Sequence, residues 1–533
     1  METTGTTMNP IIAGLRISPV YTAPQPTTAA AANSLPVESV TAIPSTTVSL
    51  GQTQNNDDAR TYSARGAIGP AQVRYVLQQD SLDKLSINLL TSAQSSSLSA
   101  RFQGIGAALL EQLAANGGQS ISQSALAVGN GVEPSAEALK LQGDKLLQDP
   151  ANAVSLSLTT ASGATVTLSL ASGEQGLAVS ANVEGGTLTA DELKGLGSLA
   201  DSFQKAIDGL AEEPPRLDLG KLTKLDPALF SSLQMSARLD TVSGEQQSFD
   251  LSMNDSARTL SLKGPSGNVQ LNLDSRDSTL VGTAAQRQAA ISNYLTQFDA
   301  AQRRGKGDEN LVNLFKDAFV QLNSADDSKA QASGRTPVLA SNDRVLLSGL
   351  ADFSASISQT SQQINPLRPG ETDHFSYQVS QSTTVRGTAQ STRSVQQDQQ
   401  ASLKAAYHTS LNPQVALVLD RDPKSQNYRY HEINDQASSS TRMAYAKNKL
   451  VEASATQQAS QNERVRTYVN NEVESDVSTP RSVSESRNLL GLLNDAFQQE
   501  RNSIRDRGVS ILEEQLASQR SGWLLKADPA QID

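Results

Sequence analysis

His374, His408 and His431 are the only histidines in the 533 residues, and there is no cysteine. Thiol nucleophiles, disulfides and cysteine-type zinc sites are excluded, and imidazole chemistry has three places to occur. The densest polar-aromatic group is Tyr428, Tyr430, His431 and Glu432, with His408 following Tyr407 on a separate stretch. On a strand, neighbouring side chains point to opposite faces, so His431 and Glu432 are not expected to share a site. A Ser–His–Asp arrangement would have to be assembled from distant residues, because no G-x-S-x-G elbow accompanies the many serines. No catalytic residue is assigned from these patterns.

Three other motifs carry less chemistry than they suggest. Gly104-Ile105-Gly106 looks like the start of a dinucleotide loop, but Leu109 stands where the third glycine belongs and the glycines fall inside a helical pattern. Asp420 and Asp422 are oxygen-rich, yet Pro423 and Lys424 break a calcium-loop pattern, so a solvated hairpin tip is expected. Arg303-Arg304-Gly305-Lys306 is the densest basic run and suits a helix C-terminus. No cofactor-binding and no metal-ligating residue is assigned.

The elements that would position these residues follow from periodicity. Residues 1–68, rich in Thr, Ala, Pro and Ser, read as a disordered tail. Over 69–145, Val73, Val76, Leu77, Leu82, Leu85 and Leu89 predict one helix, and Leu98, Phe102, Ile105, Leu109 and Leu113 a second, ended by Gly117-Gly118. Over 146–215 the period becomes two: Val154, Leu156 and Leu158, then Val166, Leu168 and Leu170, then Leu177, Val179 and Ala181 predict a three-stranded meander. A capping box at Thr189–Glu192 then opens a helix carrying Leu196, Phe203 and Ile207. Residues 216–326 repeat this design, with Phe249, Leu251, Leu260, Leu262, Val269 and Leu271 on strands and Ile291, Phe298, Leu314 and Phe319 on helices. Ser-Gly-Glu-Gln occurs in both modules, at 172–175 and 243–246. A polar linker spans 327–343.

Over 344–485 the apolar residues fall on odd positions: Phe375, Tyr377, Val379, Val395, Leu403 and Tyr407, and later Met443, Tyr445, Val451 and Val465. Period two predicts long, sparsely apolar strands, with helix as the competitor at 396–406 and 447–461, where Gln, Ala, Lys and Glu are dense. Residues 486–533 predict an amphipathic helix interrupted by Gly508. The expected class is α+β.

Composition narrows the function. The formal charge is −11, and the basic residues are dispersed, which disfavours nucleic acid. No run approaches the ~20 apolar residues of a membrane helix, and residues 1–10 lack the basic and apolar regions of a secretory signal. The Ser/Thr/Ala/Pro-rich start, missing cysteine and 4% aromatics resemble bacterial export substrates in composition only. The expectation is a non-enzymatic bacterial interaction protein with a protein partner, exported or envelope-associated without a cleaved signal peptide. Self-association through the C-terminal helix is a further expectation. The alternatives are a cytoplasmic scaffold or regulator, and a hydrolase with a non-local site.

Overall fold

The computed structural model describes residues 73–129, 131–324, 339–387 and 389–532. The expected tail over 1–68 and most of the linker lie outside the described residues. The strands are β1 (Val73–Leu77), β2 (Ile121–Gly129), β3 (Asn152–Thr160), β4 (Thr165–Gly173), β5 (Gly176–Glu184), β6 (Phe230–Asp240), β7 (Gln246–Asn254), β8 (Ala257–Gly264) and β9 (Gly267–Asp274). They continue as β10 (Asp352–Gln359), β11 (His374–Arg386), β12 (Ser394–Ser410), β13 (Tyr428–Ala446), β14 (Lys449–Val469) and β15 (Glu472–Asn488). All fifteen form one antiparallel sheet in the order β1-β2-β5-β4-β3-β6 and then consecutively to β15. The helices are α1 (Lys84–Ala93), α2 (Leu98–Arg101), α3 (Ile105–Ala115), α4 (Ala136–Gln148), α5 (Ala190–Leu210), α6 (Ala284–Gly305), α7 (Glu309–Asn323), α8 (Leu490–Arg507) and α9 (Leu512–Ala517). The chain is therefore α+β.

Alternation along each strand decides which face is covered. Leu156, Leu158, Val166, Leu168 and Val179 point to one side and are buried with Leu109 and Leu113 of α3 and Leu196, Phe203 and Ile207 of α5. Helix α5 starts as expected: the Thr189 hydroxyl accepts from the Glu192 amide at 3.2 Å and the Glu192 carboxylate from the Thr189 amide at 2.8 Å. The Gly104–Gly106 motif has a packing cause. Gly104, at φ +69°, caps α3, and a Cβ at Gly106 would lie 2.6 Å from Ile207 Cδ1. The two meanders join edge to edge through β3 and β6, with Leu156 opposite Met235. Both Ser-Gly-Glu-Gln segments reach hairpin turns, β4–β5 and β6–β7.

Over β10 and β11 the cover is aromatic. Tyr294 and Phe298 of α6, Phe315 and Phe319 of α7, and Phe353 and Tyr377 of the sheet interlock, with ring centroids 4.9–5.7 Å apart for Phe298–Phe315, Tyr294–Phe353 and Phe298–Tyr377. Over β13 and β14, Leu493 and Phe497 of α8 and Leu516 of α9 bury Met443, Ala453 and Ala455.

The structure departs from the sequence reading near both ends of the described chain. Val73–Leu77, expected to begin a helix, is an edge strand paired with β2. The long strands expected over 344–485 form, and the helical competitor loses: 396–406 lies in β12 and 449–461 in β14, each paired along both edges. The single C-terminal helix is two: Gly508, at φ +67°, ends α8, and α9 begins at Leu512. Among the described residues no helix is long and apolar enough to cross a membrane.

Candidate binding surface

The face of the sheet opposite α3 and α5 carries α4 over β2, β4 and β5, and over β9–β15 it is polar and curved enough that seven strands line one trough of about 840 Å³. Its floor has a regular chemical pattern. Across β11–β15 one row runs Ser380, Gln400, Ser438, Gln458, Ser484 and the next Gln378, Ser402, Gln436, Ser460, Ser482. Register places each amide beside a hydroxyl on the neighbouring strand, about 4.8 Å away. Gln378, Gln400, Gln436 and Gln458 are all exposed, and none has a side-chain hydrogen bond among the described residues. These rows hold no charge. On β12 the charged residues of this face are Asp398 and Lys404, just beyond the rows.

The opposite face uses the same residue types differently. Gln397 Oε1 accepts from the Ser348 amide at 2.8 Å, and Gln381 donates to the carbonyls of Leu350 and Ala351. The C-terminal strap, 523–527, runs between α6 and the sheet. Gln399 Oε1 accepts from the Leu525 amide at 2.9 Å, Ser439 Oγ donates to the Trp523 carbonyl at 2.7 Å, and Gln457 Nε2 donates to the Leu524 carbonyl. Gln297 of α6 accepts from the Ala527 amide at 2.8 Å. Buried amide side chains thus replace the ladder bonds that an irregular main chain lacks.

Beyond one end of the trough, on the same face, lies a compact polar block. Residues 360–373 fold over the last turns of β12–β14 and bring Glu371 onto three strands. Tyr428 donates to Glu371 Oε2 at 2.6 Å, Tyr468 to Oε1 at 2.7 Å, and Arg466 lies 3.3 Å from Oε1. His408 Nδ1 is 2.5 Å from Asp373 Oδ1, and its Nε2 faces Glu371 at 3.5 Å. Asn365 bridges Gln426 and the Tyr428 hydroxyl, and the Arg368 guanidinium stacks 4.2 Å from the Tyr468 ring centre. Burial opposes charge on Glu371, but His408, the two tyrosine hydroxyls and Arg466 outweigh it and hold the carboxyl at about 2. Burial also works against a charged His408, and Asp373 and Glu371 together raise its pKa nonetheless.

The residues singled out from the sequence separate as alternation requires. Glu432 faces Arg464 and Arg466 on the trough side. His431 lies on the helix side, stacked on Tyr407 at 4.7 Å between ring centres. His408 and His431 therefore sit on opposite faces. The His431 ring nitrogens contact Thr409 Oγ1 at 3.0 Å and Glu463 Oε1 at 2.9 Å, the order of a hydrolase triad. Thr409, however, sits inside the β12–β13 ladder opposite Arg429. Acyl transfer needs free backbone amides around the nucleophile, and a ladder position uses them in pairing. Asp420 and Asp422 form an exposed turn, with Asp420 Oδ1 accepting from the Asp422 amide at 2.8 Å. Among the described residues no group of three or more His, Asp or Glu side chains could hold a metal ion. Arg303–Lys306 is the end of α6, as expected, but Arg304 reaches the sheet and forks onto Asp435 with a second contact to Glu463 at 3.6 Å. Glu371 and Asp373 escaped the sequence reading. Their only signal was acidity in a loop beside the His374 strand.

Comparison with known proteins finds no matching family, no similar curated protein and no similar solved structure.

Proposed function

We propose that this is a non-enzymatic bacterial interaction protein that holds an extended polypeptide segment of a partner along the polar trough. The observation that carries this reading is the set of four unpaired glutamines, Gln378, Gln400, Gln436 and Gln458, alternating with serines on a curved floor. Amides and hydroxyls without charge suit a main chain, whose N–H and C=O groups are obligatory hydrogen-bonding partners. The same sheet already holds a main chain this way on its other face, through Gln399, Ser439 and Gln457. The cysteine-free, Ser/Thr-rich composition supports an exported or envelope-associated setting.

The reading is tested by selecting displayed, unstructured peptides on the full chain. Selected peptides are expected to weaken about tenfold on Gln436→Ala with Gln458→Ala, each lost hydrogen bond contributing roughly 0.5–1.5 kcal/mol. Ser402→Arg, which fills the trough, is expected to abolish binding. Peptides indifferent to all three changes would remove the trough from the account. Fractionation of the host, with mass spectrometry of the N-terminal peptides, tests the setting; recovery in the cytosol alone contradicts export.

A further inference from the structure

The hairpin ends of β6–β9 meet the C-terminal end of α5 and the start of α7 around a separate cavity of about 280 Å³. It lies on the face of the sheet covered by α5 and α7, whereas the trough lies on the other. Its walls are apolar, formed by Leu98, Leu210, Leu239, Leu262, Leu311 and Leu314. An apolar cavity of about 150 Å³ takes a benzene ring, so this one has room for a ring with a short side chain.

Charge says what that side chain should carry. Glu212, Glu213, Asp240 and Asp308 line the cavity, and no Lys, Arg or His does. Glu212 pairs with Arg216. Glu213 Oε1 accepts from the Val242 amide at 2.6 Å and Asp308 Oδ1 from the Leu311 amide at 2.7 Å, which leaves each a second oxygen without a partner among the described residues. Helix α5 also ends here, and its C-terminal carbonyls add to the negative potential.

The second observation is Gln247, which lines the same cavity and is 6% exposed. Its Nε2 donates to the Leu210 carbonyl at 3.3 Å, which sets the direction of the amide. Its Oε1 receives no hydrogen bond among the described residues, and it is not one of the buried atoms sealed from solvent. An added Cβ at Gly264 would lie 3.4 Å from this oxygen, so the missing side chain there leaves the acceptor open. An amide oxygen in a mostly buried setting is stabilised by a donor.

We propose that this cavity is a small-molecule site for a compact apolar amine. The hydrocarbon body lies among the leucines, and the ammonium donates to Gln247 Oε1 in the field of the Glu213 and Asp308 carboxylates.

Phenethylamine, propylbenzene and hydrocinnamate share a body and carry a cation, no charge and an anion. Saturation-transfer NMR on the full chain is expected to show the amine binding most tightly and the anion not at all. Glu213→Gln with Asp308→Asn removes two charges and keeps the oxygens that accept from Val242 and Leu311. This double variant is expected to weaken the amine about tenfold and leave propylbenzene unchanged. Gln247→Met keeps the length and removes the acceptor, with a similar loss expected for the amine. Gly264→Leu puts a side chain over Gln247 and is expected to remove the amine and propylbenzene together. The double variant, which preserves the local hydrogen bonds, decides the case if Gln247→Met does not fold. Equal binding of the amine and propylbenzene, amine affinity unchanged in the double variant, or no binding of the amine at millimolar concentration would overturn the proposal.

Discussion

Glu371 and Tyr428 are hydrogen-bonded at 2.6 Å across 57 residues of sequence, and that bond joins the 360–373 loop to the first residue of β13. Tyr468 takes the other carboxylate oxygen at 2.7 Å, so a single acidic side chain ties a loop to two strands. In a glutamine at this position one of the two oxygens becomes an NH2 donor, so one buried tyrosine hydroxyl faces a donor and Arg466 loses its counter-charge. Glu371→Gln is expected to destabilise this end of the sheet by about 3 kcal/mol, the lower end of the usual cost of breaking a buried pair. Hydrogen exchange should locate the loss in the 360–373 loop and the ends of β13 and β14.

The same carboxylate sets an acid limit. Its folded pKa, about 2, is below its ordinary value of 4.5. The stabilisation is therefore complete above pH 4.5 and is lost as pH falls toward 2, amounting to about 3 kcal/mol by linkage. His408 works in the other direction. Its folded pKa is raised above 6.5, so its contribution is complete below 6.5 and fades as pH rises through the raised value. Loop protection factors, with the intrinsic pH dependence of amide exchange divided out, should pass through a maximum between these two limits, and Glu371→Gln should flatten the acid side.

The strap 523–527 depends on side-chain amides for its main-chain bonds. Gln399→Leu keeps approximate size and removes the acceptor of the Leu525 amide. The expected cost is about 1–3 kcal/mol for a buried unsatisfied donor. Exchange should accelerate at residues 523–527 while the β3–β9 half of the sheet keeps its protection. A uniform loss over the whole chain would mean that the strap is not a local unit.

Gly106 lets α3 and α5 approach closely. Gly106→Val would put side-chain atoms into Ile207 and Phe203, whose atoms lie 2.6 Å and 3.1 Å from an added Cβ. Overpacking of this kind costs about 1–3 kcal/mol. Thermal unfolding should show a lowered midpoint, and Ile207→Ala in the Gly106→Val background should recover part of it.

These cases show what was legible in the chain and what was not. Phe375, Tyr377, Val379 and Leu403 declared a strand face by period two, and they do line the helix side. Gln381, Gln397 and Gln399 sit on that same face, buried, and their residue type gives no sign of it. Their partners are irregular main chain, at 348–351 and at Leu525, and no local pattern announces such a pairing. The helical composition at 396–406 lost to pairing on both edges, since propensity differences of a few tenths of a kcal/mol per residue are weaker than two ladders of hydrogen bonds. Val73–Leu77 misled for the opposite reason: five residues are too few to separate period two from a helical turn. Alternation did separate His431 from Glu432 correctly, but it carried no information about the loop that delivers Glu371 to His408.

The central claim is that the trough holds a partner's extended chain. The most direct measurement places a photo-crosslinking residue at Gln436 in the full chain expressed in its host, with Leu141 on the exposed face of α4 as the control position. The account predicts a defined polypeptide adduct at 436 that is absent at 141 and is lost with Ser402→Arg. The same adducts at both positions, or an adduct at 436 that survives the filled trough, would contradict it.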